Sequence, residues 1–442
     1  MIAQTKKDVL KIVKEKEIKF IQLWFTDILG VLKSFAITAG ELEEALFEGM
    51  GFDGSSIEGF ARIEESDMIA KPDPVTLQFL PWGDEHRPIA RMFCDILEPD
   101  GSPYAGDTRY AFKKLLQKAK DKGYTFYVGP EPEFFYFANK HEPVTIDEGG
   151  YFDAPPIDLG GVLRRETILA LQKVGVDIEY SHHEVAPSQH EIDLRYDEGL
   201  RMADKFMTLR IVVKEIARLH NIHATFMPKP IFGINGSGMH THQSLFIDDK
   251  NAFHDPSDPL HLSAVAKGYI AGLLKHAREI TAVCNQWINS YKRLVPGYEA
   301  PVYVSWARRN RSTMIRVPMY KPGKEKATRI EYRSPDAACN PYLAFAVMLA
   351  AGLKGVEENY QIPASIEEDI YEFSAEKRRE RGITELPGNL YEAIQELEKS
   401  ELVREALGDH IFYKFIENKK IEWDRFRTHI SQYEIDKYLP VL

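Results

Sequence analysis

Hydrophobic and polar positions follow helix and strand periods in turn along the first hundred residues. Residues 5–15 form an amphipathic stretch that predicts a helix, and the runs IKFIQLWFTD and VLKSFAIT predict two strands joined by a turn at Ile28–Gly30. ELEEALFEG predicts a short helix that ends at Gly49, and two more strands are expected near Val75–Leu80 and Ile89–Leu97. This order of elements predicts a small α+β domain.

A cluster of Pro, Gly, Asp and Ser at residues 98–107 follows this unit and is typical of a domain boundary. We therefore expect an N-terminal domain over residues 1–104 and a larger α+β domain over residues 105–442. At the start of the larger domain, Asp107 is expected to cap a helix that Gly123 ends.

The larger domain is expected to mix strands and helices. YTFYVGPEPEFFYF predicts a strand pair or one interrupted strand, and VDIEYSHHEV and HEIDLRY predict two further strands. Helices are expected near Leu163–Val174 and Leu200–Leu219, and a charge-rich, peripheral helical segment from about Asn389 to the end. The apolar run Tyr342–Leu353 is too short to span a bilayer and predicts a buried helix.

Composition excludes several classes of protein. The chain has 442 residues, of which 44% are hydrophobic and 28% charged, so it is neither disordered, fibrous nor a disulfide-stapled miniprotein. The net charge of −11 argues against nucleic acid as the main partner. The cysteines Cys94, Cys284 and Cys339 are odd in number and widely spaced, and the N-terminus lacks the apolar core of a signal peptide. We therefore expect a cytoplasmic protein without a membrane partner.

Two pairs of glutamates are candidate metal ligands. Glu131 and Glu133 in GPEPEFF point to the same face of a strand, where they repel each other unless a cation lies between them. Glu184 and Glu191 flank a turn in HHEVAPSQHEI, beside three histidines, and such oxygen-rich sites suit magnesium or manganese better than zinc. A solvated strand edge remains the alternative for the first pair, and a polar hairpin is the better interpretation of the second segment taken alone.

Further candidate residues lie in three later segments. NGSGMHTHQSL places His240 and His242 on one strand face after a glycine-rich turn, but it matches neither a P-loop nor a dinucleotide-binding fingerprint. In TRIEYRS, Arg329, Glu331 and Arg333 form either a salt-bridge ladder or a metal-binding carboxylate flanked by anion-binding arginines. Several more arginines lie close by in a net-acidic chain, which favours a polyphosphate or dicarboxylate ligand. Together these segments indicate a two-metal oxygen site with phosphate binders.

The sequence resembles the type I glutamine synthetases along essentially its whole length. FDGSSIEGF at residues 52–60 and the segments GPEPEFF, HHEVAPSQHEI, NGSGMHTHQSL, KRLVPGYEAPVY, ARRNRS and RIEYRSPDAACNPYL carry this resemblance, in that order. It implies a β-grasp-like N-terminal domain followed by a catalytic domain built on a curved antiparallel sheet. It also implies a dodecamer of two stacked six-membered rings, with each active site between neighbouring subunits.

The resemblance assigns roles to residues of this chain. The metal ligands of one site are Glu133, Glu184 and Glu191, and those of the other are Glu131, His240 and Glu331. The ATP-binding residues are Glu179, His242, Ser244, Lys326 and Arg329, with Arg311 and Arg316 near the phosphates. The glutamate-binding residues are Asn235, Gly236, Arg293 and Arg333. Asp53 from the adjacent subunit binds ammonium, and Glu299 in PGYEAP closes the site.

The implied reaction is the ATP-dependent ligation of ammonia to L-glutamate through a γ-glutamyl phosphate, with two Mg²⁺ or Mn²⁺ ions per active site. Three alternatives remain: a glutamate–amine or polyamine ligase of the same family, a non-catalytic regulatory relative, and a metal-dependent phosphohydrolase. The presence of Asp53 argues against the first alternative, and the complete set of metal ligands argues against the second.

Two positions concern regulation. The region around Tyr371, DIYEFSAEKRRERG, lacks the NLYDLPPEE context of adenylylated type I enzymes, so we expect no adenylylation there. Arg62 in GFARIEESD matches the subgroup that glutamine inhibits, which predicts a feedback role for this residue. The alternative for Arg62 is a surface salt bridge worth about 0–1 kcal/mol.

Overall fold

The computed structural model describes residues 4–55, 57, 67–82 and 88–442. Its strands are β1 (Phe20–Thr26), β2 (Leu32–Thr38), β3 (Met50–Asp53), β4 (Asp67–Pro72), β5 (Gln78–Phe79), β6 (Ile89–Leu97), β7 (Thr125–Phe137), β8 (Ile178–His183), β9 (Gln189–Leu194), β10 (Asp197–Glu198), β11 (His223–Thr225), β12 (Met239–Ile247), β13 (Lys250–Asn251), β14 (Tyr303–Ala307), β15 (Thr313–Arg316), β16 (Ile330–Tyr332) and β17 (Thr384–Glu385). Its helices are α1 (Lys6–Glu15), α2 (Leu42–Phe47), α3 (Thr108–Asp121), α4 (Gly161–Lys173), α5 (Gly199–Leu219), α6 (Ala264–Lys275), α7 (Ala277–Cys284), α8 (Ser290–Arg293), α9 (Pro341–Glu357), α10 (Ala375–Glu380), α11 (Leu390–Leu397), α12 (Glu401–Leu407), α13 (Asp409–Arg427) and α14 (Gln432–Tyr438).

A six-stranded sheet forms the N-terminal part of the molecule, in the order β2-β1-β6-β4-β3 with β5 beside β6. Strands β1 and β2 form the predicted antiparallel hairpin, and β1 pairs in parallel with β6. Helix α1 begins at a capping box in which the Thr5 hydroxyl accepts from the Asp8 backbone amide and the Asp8 carboxylate accepts from the Thr5 amide. The expected α+β class is confirmed.

The strand predicted near Val75–Leu80 is shorter in the structure, where only the two residues of β5 form a strand. A 3₁₀ turn over Pro74–Thr76 occupies its first half, since Pro74 has no amide hydrogen for a sheet and the Asp73 carboxylate caps the turn at the Val75 amide. The pattern also failed to predict β3 and β4, which pair with each other.

An eleven-stranded, mainly antiparallel sheet forms the larger part of the molecule, in the order β17-β14-β15-β16-β12-β7-β9-β8. Strand β7 is continuous over 13 residues, so the expected interruption is absent from this described segment. It changes partner instead: residues 125–132 pair with β12, and Glu133–Phe135 pair with β9. This exchange places the centre of β7 where three strands meet.

Helices pack behind this sheet as a close-fitting layer. Helix α9, which the apolar run predicted, is almost completely buried and lies against α6. A Cβ atom on Gly272 would lie 2.1 Å from the carbonyl oxygen of Ala351, so only glycine allows the two helices to approach this closely. No helix in the described ranges is long and apolar enough to cross a membrane.

The C-terminal helical segment is less peripheral than its charge predicted. Ile411, Phe412 and Phe415 of α13 are buried in the main core, whereas α14 carries no buried residue. The prediction is wrong for α11, α12 and the first half of α13, because each of these helices packs an apolar face against the main core although its other face is charged. All three cysteines are buried and free.

Arg109 of α3 ties the two parts of the molecule together. Its guanidinium donates to Asp95 at 2.7 Å and Asp73 at 2.8 Å in the N-terminal part, and to Asp204 of α5 at 2.9 Å. The arginine side chain is only 3% exposed, so the cation of these ion pairs is shielded from water.

We expect Arg109→Leu to lower the free energy of unfolding by about 3–5 kcal/mol, because it leaves three carboxylates without their buried cation. Urea unfolding followed by circular dichroism measures this change. The control is Arg404→Leu, which removes an exposed arginine that also pairs with two carboxylates and should change the free energy of unfolding far less, because water screens exposed ion pairs. Equal losses in the two variants would contradict a structural role for the buried cluster.

Candidate active site

A cleft of about 740 Å³ opens over the central strands of the large sheet. Strands β7, β9, β12, β15 and β16 contribute charged side chains to its floor, and the segments around residues 297–300, 309–312 and 367–371 form its walls. Carboxylates, histidines and arginines line it in large number, so the cleft is suited to an ionic ligand.

Strand register brings the predicted metal ligands together. Glu131 lies opposite His240 across β7 and β12, and Glu133 lies opposite Glu191 across β7 and β9. Glu191 also lies opposite His182 across β8 and β9. Because cross-strand partners have Cβ atoms about 4.5–5.5 Å apart, this register places the two side chains of each pair within reach of the same ion.

The first cluster of potential ligands consists of Glu131, His240 and Glu331. The Nδ1 atom of His240 lies 3.6 Å from a carboxylate oxygen of Glu131 and 3.7 Å from one of Glu331. One ligand atom from each residue lies within 4.8 Å of the others. This is the set that the resemblance assigns to one metal.

The second cluster contains Glu184, Glu191 and His182, whose potential ligand atoms also lie within 4.8 Å of one another. The Nε2 atom of His182 lies 3.1 Å from Glu191. Glu133, expected here as a ligand, lines the same cleft, and its Oε2 atom accepts from the Gln189 side-chain amide at 2.9 Å and the Gly238 amide at 3.0 Å. Its other oxygen makes no hydrogen bond with the described residues, so it can face a cation.

The electrostatics of the two clusters differ. Burial, together with the charge of Glu133, raises the pKa of Glu184 to about 8, and burial and neighbouring carboxylates hold the pKa of Glu191 well above its usual range. Burial would also raise the pKa of Glu331, but Arg333 and other cationic groups outweigh it and lower the pKa to about 2. Buried carboxylates that repel one another form an oxygen-rich donor set, and this set fits a hard divalent cation.

Arginines surround the acidic clusters. Arg333 donates to Glu331 at 2.6 Å, and Arg316 forms an ion pair with the same carboxylate from β15. Arg293 is buried and donates to the carbonyl oxygens of Ser334 and Arg333, while Arg311 lies at the exposed rim of the cleft. The cationic groups are therefore placed to bind anionic groups beside the metal clusters.

The loops over the cleft hold Asn235, Gly236 and Glu299. The Asn235 side-chain amide donates to the Glu299 carboxylate at 3.0 Å. A Cβ atom on Gly236 would lie 2.2 Å from the carbonyl oxygen of Pro228, so this position requires glycine. Glu299 itself has a φ of 59°, a left-handed conformation that is strained for a glutamate.

Of the predicted nucleotide-binding residues, His242 lies beside the cleft, in contact with Glu131 of its floor. His242 Nδ1 accepts from Arg329 at 3.2 Å, so its Nε2 carries the proton and donates to Glu131 at 2.7 Å. Ser244 is buried two residues further along β12, and Glu179 and Lys326 are exposed. Within the described part of the chain, none of these five residues lines the cavity.

One predicted residue lies elsewhere. Asp53 is exposed at the end of β3 in the N-terminal part and accepts from the Ser55 amide at 2.8 Å. Hydrogen bonds from Ser55 lower the pKa of Asp53, so it is ionised at neutral pH. It does not line the described cleft of its own chain. Arg62 lies outside the described residues, and its regulatory role stays a prediction.

Sequence patterns missed several residues of the site. His182 has a local signal, because it stands two positions before Glu184, but the pattern did not distinguish it from its neighbouring histidine. Glu367, Asp369 and Tyr371 also line the cleft, although they lie in a segment with no metal or phosphate motif. Only the packing of this segment against residues 308–311, called the arginine loop below, brings them there.

Known proteins share both the order and the arrangement of these elements. A family model described as the β-grasp domain of glutamine synthetase matches residues 17–99, and one described as the glutamine synthetase catalytic domain matches residues 105–438. The glutamine synthetase of Mycolicibacterium smegmatis is 54% identical over 98% of this chain and 99% of the relative, and that of Thermotoga maritima is 51% identical over 98% of both.

Solved structures agree with these sequence relatives. The Plasmodium falciparum glutamine synthetase matches with a TM-score of 0.90 at 25% identity, over 99% of both chains. A GmaS/ADP complex matches with a TM-score of 0.87 at 30% identity, over 98% of this chain and 99% of that one. Because family models match both parts of the molecule and about half of its residues are identical in these relatives, the chain belongs to the glutamine synthetase family.

Proposed function

We propose that the chain catalyses the ATP-dependent ligation of ammonia to L-glutamate, which yields glutamine, ADP and phosphate. The observation that carries this proposal is the cleft itself. Two acidic clusters lie side by side in it, ringed by arginines, in a chain about half identical to enzymes named glutamine synthetase.

The family uses ATP and divalent metal, and the donor sets of this chain fit such ions. We propose two Mg²⁺ or Mn²⁺ ions, one held by Glu131, His240 and Glu331 and the other by Glu184 and Glu191 with Glu133 or His182. When bound, the ions would neutralise charge on the transferring phosphoryl group.

Glutamate requires groups that bind its two carboxylates and its ammonium. Arg333 and Arg293 supply the cations in the floor of the cleft, and Gly236 leaves room and an open backbone beside them. Arg311 and Arg316 lie where they can approach the phosphates, with the nucleotide held by the neighbouring group around His242 and Arg329. This arrangement would place the γ-carboxylate of glutamate beside the phosphates of the nucleotide.

The order of the chemical steps follows from leaving groups. The γ-carboxylate of glutamate is a poor electrophile, so its oxygen first attacks the γ-phosphorus of ATP to form γ-glutamyl phosphate, with ADP leaving. Ammonia then attacks the acyl carbon and expels phosphate. The arginines offset the negative charge of both steps, and the loop of Glu299 covers the cleft against water.

Ammonium must lose a proton before it attacks, which requires a nearby carboxylate. We propose Asp53 for binding ammonium and Glu299 for closing the site over it. Because Asp53 lies in the N-terminal part and outside the cleft of its own chain, this role requires a neighbouring subunit. A dodecamer of two six-membered rings satisfies that requirement.

We further propose a cytoplasmic location, supported by three buried cysteines without a disulfide. The boundary between the domains at residue 104 is likewise proposed, and the two family models meet near it.

Phosphate release from ATP is expected to require glutamate and ammonium together, and to stop when EDTA removes divalent ions. A coupled assay of phosphate and glutamine, with methylamine and a polyamine as substitutes for ammonium, separates ligation of ammonia from ligation of larger amines. Phosphate release that needs neither glutamate nor an amine would instead assign the chain to phosphohydrolases. A preference for methylamine or the polyamine would assign it to the amine ligases.

A further inference from the structure

The segment of residues 366–372, called the cross-segment below, forms one wall of the cleft and contacts the other two wall segments. It lies between α9 and α10, belongs to no strand of the large sheet and contains the 3₁₀ turn Ile370–Glu372. Its residues Glu367, Asp369 and Tyr371 face the cleft. The functional assignments above leave all three without a role.

At one end, the cross-segment holds the arginine loop by its backbone. The two carboxylate oxygens of Glu367 accept from the amides of Arg308 at 3.0 Å and Arg309 at 3.1 Å. The side-chain amide of Asn310 donates to the carbonyl oxygens of Ile366 and Glu368. Four contacts therefore fix the backbone that leads directly into Arg311.

At the other end, the cross-segment holds the loop of Glu299. The hydroxyl of Tyr371 donates to the carbonyl oxygen of Ala300 at 2.8 Å. Ala300 is 2% exposed, whereas Glu299 before it is exposed and has a φ of 59°. A strained residue keeps its conformation only where its surroundings hold it, and this hydrogen bond is the anchor on its C-terminal side.

The Tyr371 ring is itself fixed. The Asp369 carboxylate accepts from the Tyr371 amide at 3.0 Å, and the ring lies 5.8 Å from that of Tyr303 between centroids. Burial raises the pKa of the Tyr371 hydroxyl to about 12, so it stays protonated and remains a donor. The Tyr371 side chain that anchors the Glu299 loop is therefore itself held in place by the cross-segment and by Tyr303.

We propose that Tyr371 is a positioning residue for Glu299, and that the cross-segment fixes the position of the Glu299 loop relative to the phosphate-binding arginine loop. The inference rests on the proposed function, because it assigns Glu299 to covering the acyl phosphate. Loss of the anchor lets the loop leave the cleft and admits water. Water then attacks the γ-carbon of γ-glutamyl phosphate, the bond from that carbon to the phosphate oxygen breaks, and glutamate and phosphate are released with one proton to solvent.

The test compares Tyr371→Phe with Tyr303→Phe. The first substitution removes the anchoring hydroxyl and keeps the ring. The second removes a hydroxyl from the neighbouring ring, where it makes no hydrogen bond to another described residue. Phosphate and glutamine are measured in the same reaction, at saturating ATP and glutamate, across a range of ammonium concentrations.

For Tyr371→Phe we expect more phosphate than glutamine at low ammonium, and a KM for ammonium raised about two- to tenfold, which is the population change that one hydrogen bond supports. The KM for glutamate should change less than the KM for ammonium, because Asn235 joins the glutamate-binding group to this loop through a single hydrogen bond. Tyr303→Phe should form the two products in equal amounts. A purely structural role for Tyr371 would lower thermal stability without changing the ratio of the products.

Equal amounts of phosphate and glutamine in folded Tyr371→Phe, with an unchanged KM for ammonium, would overturn the inference. If that variant does not fold, Glu367→Gln decides, since it weakens the other end of the cross-segment: an excess of phosphate supports the inference, and equal product amounts overturn it. A parent protein that makes no glutamine overturns the proposed function instead, so the two failures are distinct.

Discussion

Replacing Glu331 by alanine is expected to reduce ATP-dependent glutamine formation by at least about 10²- to 10³-fold, the loss that follows removal of one electrostatic contact to a transition state. Glu331 contributes a ligand atom to the first metal cluster, and its carboxylate also pairs with Arg333 and Arg316. The variant therefore loses metal affinity and leaves two arginines without their carboxylate. Phosphate and glutamine release at several metal concentrations measure the effect.

Glu331→Gln is the matched control, because it keeps the shape of the side chain and one oxygen that can accept from Arg333. It should fold like the parent protein, as judged by circular dichroism and thermal unfolding, and still be inactive, since a neutral amide is a weak ligand for a hard cation. If Glu331→Gln were nearly as active as the parent protein, Glu331 would be excluded from the metal site.

Asp53→Ala is expected to raise the KM for ammonium by at least about tenfold while the KM values for glutamate and ATP change little. The reason is that an ionised, exposed carboxylate at this position attracts a small cation and contacts neither of the larger substrates in the proposed site. Steady-state kinetics with each substrate varied in turn measure the three constants. Asp53→Asn, which keeps the size of the side chain without its charge, should behave like the alanine variant.

A mixture of Asp53→Ala and Glu331→Ala subunits tests where Asp53 acts. If the carboxylate serves a neighbouring subunit, hybrid oligomers contain some sites with both residues intact and should regain part of the activity that either variant lacks. Absence of recovery in oligomers verified to contain both subunits would place Asp53 outside the shared site.

Local elements were predicted well where one face of the chain is buried. Helix α3 begins after its cap at Asp107 and ends before Gly123, whose φ is 85°. The hairpin of β1 and β2 and the buried helix α9 also follow their hydrophobic patterns. The reason is that the side chains on the buried face of a helix or strand recur at its period, which the order of residues shows directly. Strand β3 was missed because its four residues are too few to show a period, and β4 was missed although its six residues alternate between buried and more exposed positions.

Pairs of site residues close in sequence were predicted for the same physical reason. Glu131 and Glu133 both line the cleft, and His240 and His242 both lie beside Glu131, as alternation along a strand requires. Arg333 binds Glu331 as the ladder interpretation expected, while Arg329 donates to His242. The Glu331 carboxylate belongs both to this salt bridge and to the candidate metal cluster. The salt-bridge interpretation and the metal-site interpretation are therefore compatible.

The sequence by itself determined the helix and strand periods, the chemical character of the site and the family to which the chain is similar. Only the tertiary structure decided which distant residues share an ion or a hydrogen bond. The pairing of Glu133 with Glu191 follows from the register between β7 and β9, and the anchor from Tyr371 to Ala300 follows from packing of the cross-segment. Such contacts depend on strand order and on the fit of many side chains at once, and no short stretch of sequence carries that information.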